Sequence, residues 1–353
     1  MNNQRTLPAE TIERMVRETV GDSVKQYTLA SNGSMPVFYI DTEGGEQYVL
    51  KAAGSEEAAE TSSQARSIRV EARLVTALKS HTSIPVPSVV GVVDDMSGFG
   101  LPFFVMEAID GATIGPQALS RVDDLVLEEI AFQIGEHVAD LHSLSTGMSE
   151  FGYLSYEEME LLAGEIPNIE LERFSVIDGY DTWFDRFHNW ISTDLNRFEK
   201  TPLAPLLPDI ETALKECVAE LPVDHHPVIG RVHQSIDNVL FDEATGEVQA
   251  LIDWEPRHVV TAAFDLAVVE YSLSGGAWRS LPNIEDRLDL VHNALCAGYT
   301  NSLPLPDRYS DQRECYHLAQ LVLSVDRLAE NKHPLSNQEL FDWFRKKIDE
   351  KIS

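Results

Sequence analysis

Two side chains in the second half of the chain have the chemistry of a clamp for a hard cation. Asn238 opens a short hairpin, and its return strand delivers Asp253 in Leu251-Ile252-Asp253-Trp254-Glu255. Mg2+ prefers oxygen donors and commonly takes one or two from protein, leaving the rest to water and phosphate. An amide and a carboxylate at opposite ends of one hairpin meet that need; the plain alternative is a turn asparagine and a strand-end aspartate. Far upstream, Lys51 lies in the apolar strand Tyr48-Val49-Leu50-Lys51-Ala52-Ala53. An unpaired ammonium is costly to bury, so an anion is expected to meet it. Glu71, on the apolar-periodic stretch Arg69-Val70-Glu71-Ala72-Arg73-Leu74, suits a strand-lysine to helix-glutamate pair aimed at phosphates. The alternative is a snorkelling lysine and a solvated glutamate.

The elements that must position these groups are readable from periodicity. Ile12, Met15, Val16 and Val20 recur at helical spacing and end at Gly21. Residues 26–40 and 47–53 are rich in β-branched and aromatic residues, and the turn cluster 41–46 between them predicts an antiparallel hairpin. A helix is expected over about 68–80, stopped by Ile84-Pro85-Val86-Pro87, with strands at 88–94 and 101–106. From Pro116 the pattern turns helical: 125–145, with Leu127, Ile130, Ala131, Ile134, Val138 and Leu141 inward, then 182–198, 210–220, 264–273, 284–297 and 338–352. One β island is expected among them, Val228–Val232 with the hairpin 239–241 and 248–252. The reading is an α+β chain: an N-terminal antiparallel-sheet lobe over 1–107 and a helical lobe over 108–353.

Composition sets bounds. With 353 residues and 43% hydrophobic content the chain can bury a real core. No run of about 18 uncharged apolar residues occurs and the N-terminus has no signal-peptide core, so a soluble cytoplasmic protein is expected. The 58 acidic against 27 basic residues give a net charge of −31. Self-repulsion of that size is screened when the Debye length falls to about 3 Å near 1 M salt, which points to a halophilic, high-salt cytosol. Nucleic acid and anionic membrane are excluded as partners, since they need clustered basic residues. Cys217, Cys296 and Cys315 show no paired spacing and read as ordinary thiols.

The order of these motifs resembles the aminoglycoside phosphotransferase and choline kinase superfamily, which shares the bilobal protein-kinase fold. The resemblance runs over about 20–275: Lys51, Glu71, a hinge at Leu101–Gly111, the helix ending Ala139-Asp140-Leu141-His142, the loop before Asn238, the "IDWE" motif and Phe264-Asp265-Leu266-Ala267. It implies an ATP- and Mg2+-dependent kinase acting on a hydroxyl of a small molecule. Lys51 would meet the phosphates, Glu71 would orient Lys51, and Asn238 and Asp253 would hold Mg2+. Backbone groups near Glu107 and Ala108 would face adenine, Ser34 in Ser31-Asn32-Gly33-Ser34 would cover the phosphates, and Asp265 would brace the catalytic loop.

The chain departs from that family where the family's loop reads His-Gly-Asp, four residues, then Asn. Aligned without gaps on Asn238, the histidine falls on Arg231, the glycine on Val232 and the aspartate on His233. In a loop two residues shorter, His233 is the motif histidine and Ser235 takes the aspartate's position. His233, with an unperturbed pKa of about 6.5, can take a proton; Ser235 cannot do so well near neutrality. Asp237 is another candidate, although beside Asn238 in an extended loop it should point away. The competing function is a pseudokinase that binds nucleotide or a metabolite without turnover; a third reading is an acidic helical interaction protein. Trp183, Trp190, Trp254, Tyr271 and Trp278 could box a quaternary ammonium, or simply form core.

Overall fold

In the computed structural model, Ile12, Met15 and Val16 are fully buried along one face of α1 (Ala9–Val20), as their spacing predicts. Gly21 ends the helix at φ +78°, returning its N–H to the Arg17 carbonyl. The structure describes residues 7–30, 35–54, 63–94, 96–144, 147–156, 168–201, 203–223, 225–232, 234–255, 258–330 and 335–352.

Strands β1 (Val24–Leu29), β2 (Val37–Thr42), β3 (Gln47–Ala52), β4 (Val89–Val93) and β5 (Phe103–Glu107) form one antiparallel sheet in the order β1-β2-β3-β5-β4. Residues 26–40 are therefore two strands, not one. Leu29 pairs with Phe38, so the chain reverses between them, and periodicity alone does not register a reversal inside a β-rich stretch. Helix α2 (Ser63–His81) packs on this sheet through Ile68, Val75 and Leu78.

The chain then leaves the sheet along Glu107 and Ala108. The next helix, α3 (Asp124–His142), buries all six of the apolar positions expected of it. It crosses α7 (Leu288–Thr300) at van der Waals distance because Gly135 and Gly298 lie at the crossing. A Cβ on Gly298 would come within 1.9 Å of the Phe132 carbonyl oxygen. Longer helices among the described residues also include α4 (Trp183–Phe198), α5 (Leu207–Ala219), α6 (Ala262–Leu273), α8 (Tyr309–Glu330) and α9 (Asn337–Ile352).

Three expectations for this half are corrected. There is not one β island: β6 (Phe151–Tyr156) and β7 (Phe174–Tyr180) join β8 (Pro227–Gly230) and β11 (His258–Thr261) in a sheet ordered β7-β6-β11-β8, separate from the hairpin β9 (Val239–Phe241) and β10 (Val248–Leu251). Helix α8 was not anticipated; its face mixes Gln312, His317 and Gln320 with its apolar residues, all buried, which blurs the amphipathic signal. The cysteines are not three free thiols either. Cys217 on α5 and Cys315 on α8 are disulfide-bonded, their Cα atoms 5.4 Å apart, and only Cys296 is free. The pair is 98 residues apart in sequence, and helix packing rather than spacing brings it together. Among the described residues, no helix is long and apolar enough to cross a membrane.

Candidate active site

Lys51 sits in the middle of the β2-β3-β5 ladder, paired with Val37 on one side and Phe104 on the other, and is 5% exposed. Its ammonium meets Glu71 on α2 at 2.8 Å and Asp253, beyond the end of β10, at 2.9 Å, with Glu255 at 3.9 Å. Burial alone would push this ammonium toward the neutral form, but Glu71, Asp253 and Glu255 more than offset it and hold the lysine above its ordinary value. Burial pushes the Glu71 carboxyl up, against the pull of Lys51, and Asp253 adds to the rise. Glu71 also accepts the Trp254 N–H at 3.1 Å, so one buried carboxylate ties the strand lysine to the segment that follows Asp253.

Asp253 has a left-handed backbone, φ +58°, which a short polar side chain tolerates better than a branched one. A neighbour not anticipated from sequence supports it: Arg231, 3% exposed at the head of the loop after β8. Its guanidinium donates to the Asp253 carbonyl at 2.6 Å, to the Ile252 carbonyl, and to Gln234 Oε1 at 2.8 Å, and it lies 4.0 Å from the centre of the Trp254 ring. Burial pulls the Arg231 pKa down to about 10, against the pull of Asp253, Glu71 and Asp265. The available signal was only that, in the gapless alignment, the family's histidine falls on Arg231.

The loop closes tightly. Gln234 N–H bonds to the Arg231 carbonyl and Asn238 N–H to that of Ser235, while Ile252 N–H bonds to the Asn238 carbonyl at 3.0 Å, fixing Asn238 one residue from opposite Asp253. Ile236–Asn238 is a 3-10 turn, so the premise of an extended loop at Asp237 is corrected; Asp237 is exposed and its carbonyl accepts from Thr113. His233 and Ser34 lie outside the described residues. Asn238 is partly buried and the Asp253 carboxylate is 43% exposed, so an amide oxygen and a carboxylate share one end of the hairpin. That donor set fits Mg2+ completed by phosphate and water. Among the described residues no cluster of three or more His, Cys, Asp or Glu could hold a metal by itself.

Asp265, at the start of α6, is fully buried beneath β8, and a Cβ on Gly230 would come within 2.9 Å of its Oδ1. Its other oxygen meets His142 Nε2 at 3.1 Å, and His142 Nδ1 meets the Tyr299 hydroxyl at 3.1 Å. Burial, with Asp265 adding, pushes the Tyr299 phenol up. This buried chain joins the ends of α3 and α7 to the strand that leads into the loop. At the other expected contact, the Glu107 and Ala108 N–H groups are used by the Ser88 and Gln47 carbonyls. Those two residues therefore have carbonyls rather than donors to offer.

Comparison with known proteins agrees with this fold. The model of the phosphotransferase enzyme family matches residues 27–299. A candidate aminoglycoside phosphotransferase from Ralstonia eutropha JMP134 has a similar structure at 17% identity, with a TM-score of 0.64 over 98% of both chains. Aminoglycoside phosphotransferase APH(4)-Ia gives 0.63 at 16% identity over 98% of both chains, and a thermostable mutant of it, similar to the same degree, was solved with AMP-PNP and hygromycin B. APH(2")-IIia, solved with GDP and kanamycin, gives 0.59 at 14% identity over 96% of this chain and 97% of the other. A curated relative, the probable acyl-CoA dehydrogenase IBR3 of Arabidopsis thaliana, is 25% identical over 232 residues; the match covers 63% of this chain but only 25% of that protein. The chain has the α+β, protein-kinase-like fold of these structures, and with its family model matched from Tyr27 to Tyr299 it belongs to the phosphotransferase enzyme family.

Proposed function

We propose that the protein is an ATP- and Mg2+-dependent kinase that transfers a phosphoryl group to a hydroxyl of a small molecule. The observation that carries this is the Lys51–Glu71–Asp253 junction, where groups up to 202 residues apart meet within hydrogen-bonding distance. Phosphoryl transfer needs mainly positioned cations and charge stabilisation, and this junction supplies the protein's share. In this reading Lys51 binds the nucleotide phosphates, with Glu71 holding its ammonium in place. Asn238 and Asp253 would hold Mg2+, which supplies charge neutralisation to the phosphate oxygens. Ser34 would cover the phosphates, the carbonyls of Glu107 and Ala108 would border adenine, and Asp265 would brace the catalytic loop. On this reading the nucleotide would bind between the lobes 1–107 and 108–353.

Arg231 is the buried anchor at the head of the loop, which supports the gapless alignment, the one in which His233 takes the position of the usual aspartate. We therefore take His233 as the group that receives the acceptor's proton, with Asp237 the other candidate. The AMP-PNP held by one relative supports ATP, and the hygromycin B and kanamycin held by others support a small-molecule acceptor. A high-salt cytosol is the setting proposed from the charge of −31.

The experiment is ATP and GTP consumption by the purified protein at 2 M KCl against amino alcohols, sugars, hydroxy acids and aminoglycosides. Turnover lost in Asp253→Ala and reduced about 10²–10⁴-fold in His233→Ala is the expected result. Mg-ATP binding without turnover on any acceptor would replace the enzyme by a nucleotide-binding module.

A further inference from the structure

Several of the aromatic side chains that could box a quaternary ammonium already face the chain's own guanidinium groups. Arg186 lies 4.9 Å from the Trp190 ring centre, Arg231 4.0 Å from that of Trp254, and Arg279 5.0 Å from that of Tyr271. Trp183 is core, packed on Phe187, Phe264 and Tyr316.

Arg186 differs from the other two arginines in its surroundings. Arg231 donates to two carbonyls and Gln234, and Arg279 pairs with Asp286 at 3.0 Å. Arg186 is 4% exposed and meets no carboxylate among the described residues. Its Nε is buried with no acceptor, and its hydrogen-bond contact is a long 3.5 Å to His258 Nδ1. The adjacent Asp185 is turned to the Thr182 hydroxyl at 2.7 Å. Around the guanidinium are the rings of Tyr153 at 4.9 Å, Trp190, and Tyr180 at 5.8 Å, with His258 stacked on Trp190. Ring faces attract a cation but do not replace the hydration of a buried charge. An anion would.

The location fits an acceptor subsite. Tyr153, His258 and Gly230 form one cross-strand row over β6, β11 and β8, and Gly230 leads directly into Arg231–Asn238. With neighbouring strands about 5 Å apart, this row places Tyr153 about 10 Å across the sheet from the strand that feeds the loop. Tyr153 is 40% exposed, which gives the box a wall open to solvent. We infer that Arg186 is the docking cation for an anionic group on the acceptor, a carboxylate being the planar match for a guanidinium, so that the substrate class is a hydroxy carboxylate rather than a polycation. This rests on the phosphotransferase reading above. The acidic surface opposes casual anion binding, so specificity would come from this one buried cation.

The test uses the full chain at 2 M KCl and hydroxy carboxylates of three to eight carbons, each matched with its primary amide. Thermal shift and calorimetry without nucleotide read binding, and ADP release with Mg-ATP reads turnover. At least one carboxylate should bind about tenfold or more tighter than its amide. Arg186→Met should abolish that preference, and Arg186→Lys should restore part of it, with the Mg-ATP thermal shift unchanged in both. Equal binding of carboxylates and amides throughout, or a preference that survives Arg186→Met, overturns the inference. If Arg186→Met does not fold, the carboxylate-to-amide ratios of the wild type and Arg186→Lys decide. Carboxylate preference without ADP release would leave this inference standing and sink the kinase reading, so the two failures are separable.

Discussion

Replacing Lys51 by methionine isolates what its charge does. The methionine keeps the volume but leaves Glu71 buried, with the Trp254 N–H as its remaining hydrogen-bond partner. Removing one partner of a buried ion pair costs about 3–5 kcal/mol. Asp253 contributes little to that cost, because its carboxylate is 43% exposed and water replaces the lysine. Adding Glu71→Gln removes the stranded charge while retaining an acceptor for Trp254. The double variant should therefore recover most of the loss, ending within about 1–2 kcal/mol of wild type on the scale of one neutral buried hydrogen bond. Urea unfolding at pH 7 and 2 M KCl measures both. The pH dependence carries a sign: the Glu71 pKa is raised by burial, so its charge costs stability above the unfolded value of about 4.3. The deficit of Lys51→Met should thus shrink as pH falls from 7 toward 4.3. Mg-ATP binding should be lost in both variants. A double variant no more stable than the single one, or a deficit independent of pH, would refute the reasoning.

Arg231→Met strands the Ile252 and Asp253 carbonyls and Gln234 Oε1, and forfeits the stack on Trp254; chemical denaturation should show a loss of about 2–4 kcal/mol, with slower turnover, and Arg231→Lys should rescue little because an ammonium lacks the fork. Burial opposes charge on Glu270, yet His292 and Arg313 hold its pKa at about 2, while the Cys296 thiol and Glu270 push the His292 imidazole up to about 10. Stability should therefore fall from about pH 4.3 toward 2 as Glu270 protonates, and from about 6.5 toward 10 as His292 loses its proton; melting curves of Glu270→Gln should be flatter on both limbs. The native protein should react with one equivalent of a thiol reagent, at Cys296, and release two more thiols on unfolding and reduction. Reduction should cost up to about 4–5 kcal/mol through the freed 98-residue loop.

Much of the site was legible because its chemistry is local to motifs. Lys51 is conspicuous as an ammonium in an apolar strand, and Glu71 as a carboxylate on a helix face that is otherwise buried. Asn238 and Asp253 are related by one hairpin whose turn can be read directly. What was not legible depends on which surfaces meet. The disulfide needs α5 against α8, and β6 finds its place only because β11 pairs with it. Arg186 carries no signal of its own in the sequence, because its ring neighbours come from β6, β7 and its own helix and meet only in the fold.

Arg231 shows how a structure can interpret a broken motif. From sequence, the loop admitted two alignments, one giving the base position to His233 and the other to Ser235. The buried group that holds the backbone at Ile252 and Asp253 is Arg231, and its guanidinium fork reaches both carbonyls at once. Arg231 thus acts as a backbone anchor two positions before His233. The Asp253 backbone, held in a left-handed conformation of the kind that costs about 1–3 kcal/mol, retains its support although the motif has changed. If Asp253 holds Mg2+ as proposed, the buried Arg231 fork keeps its backbone in place, and loosening that fork in Arg231→Met should weaken Mg-ATP binding along with stability.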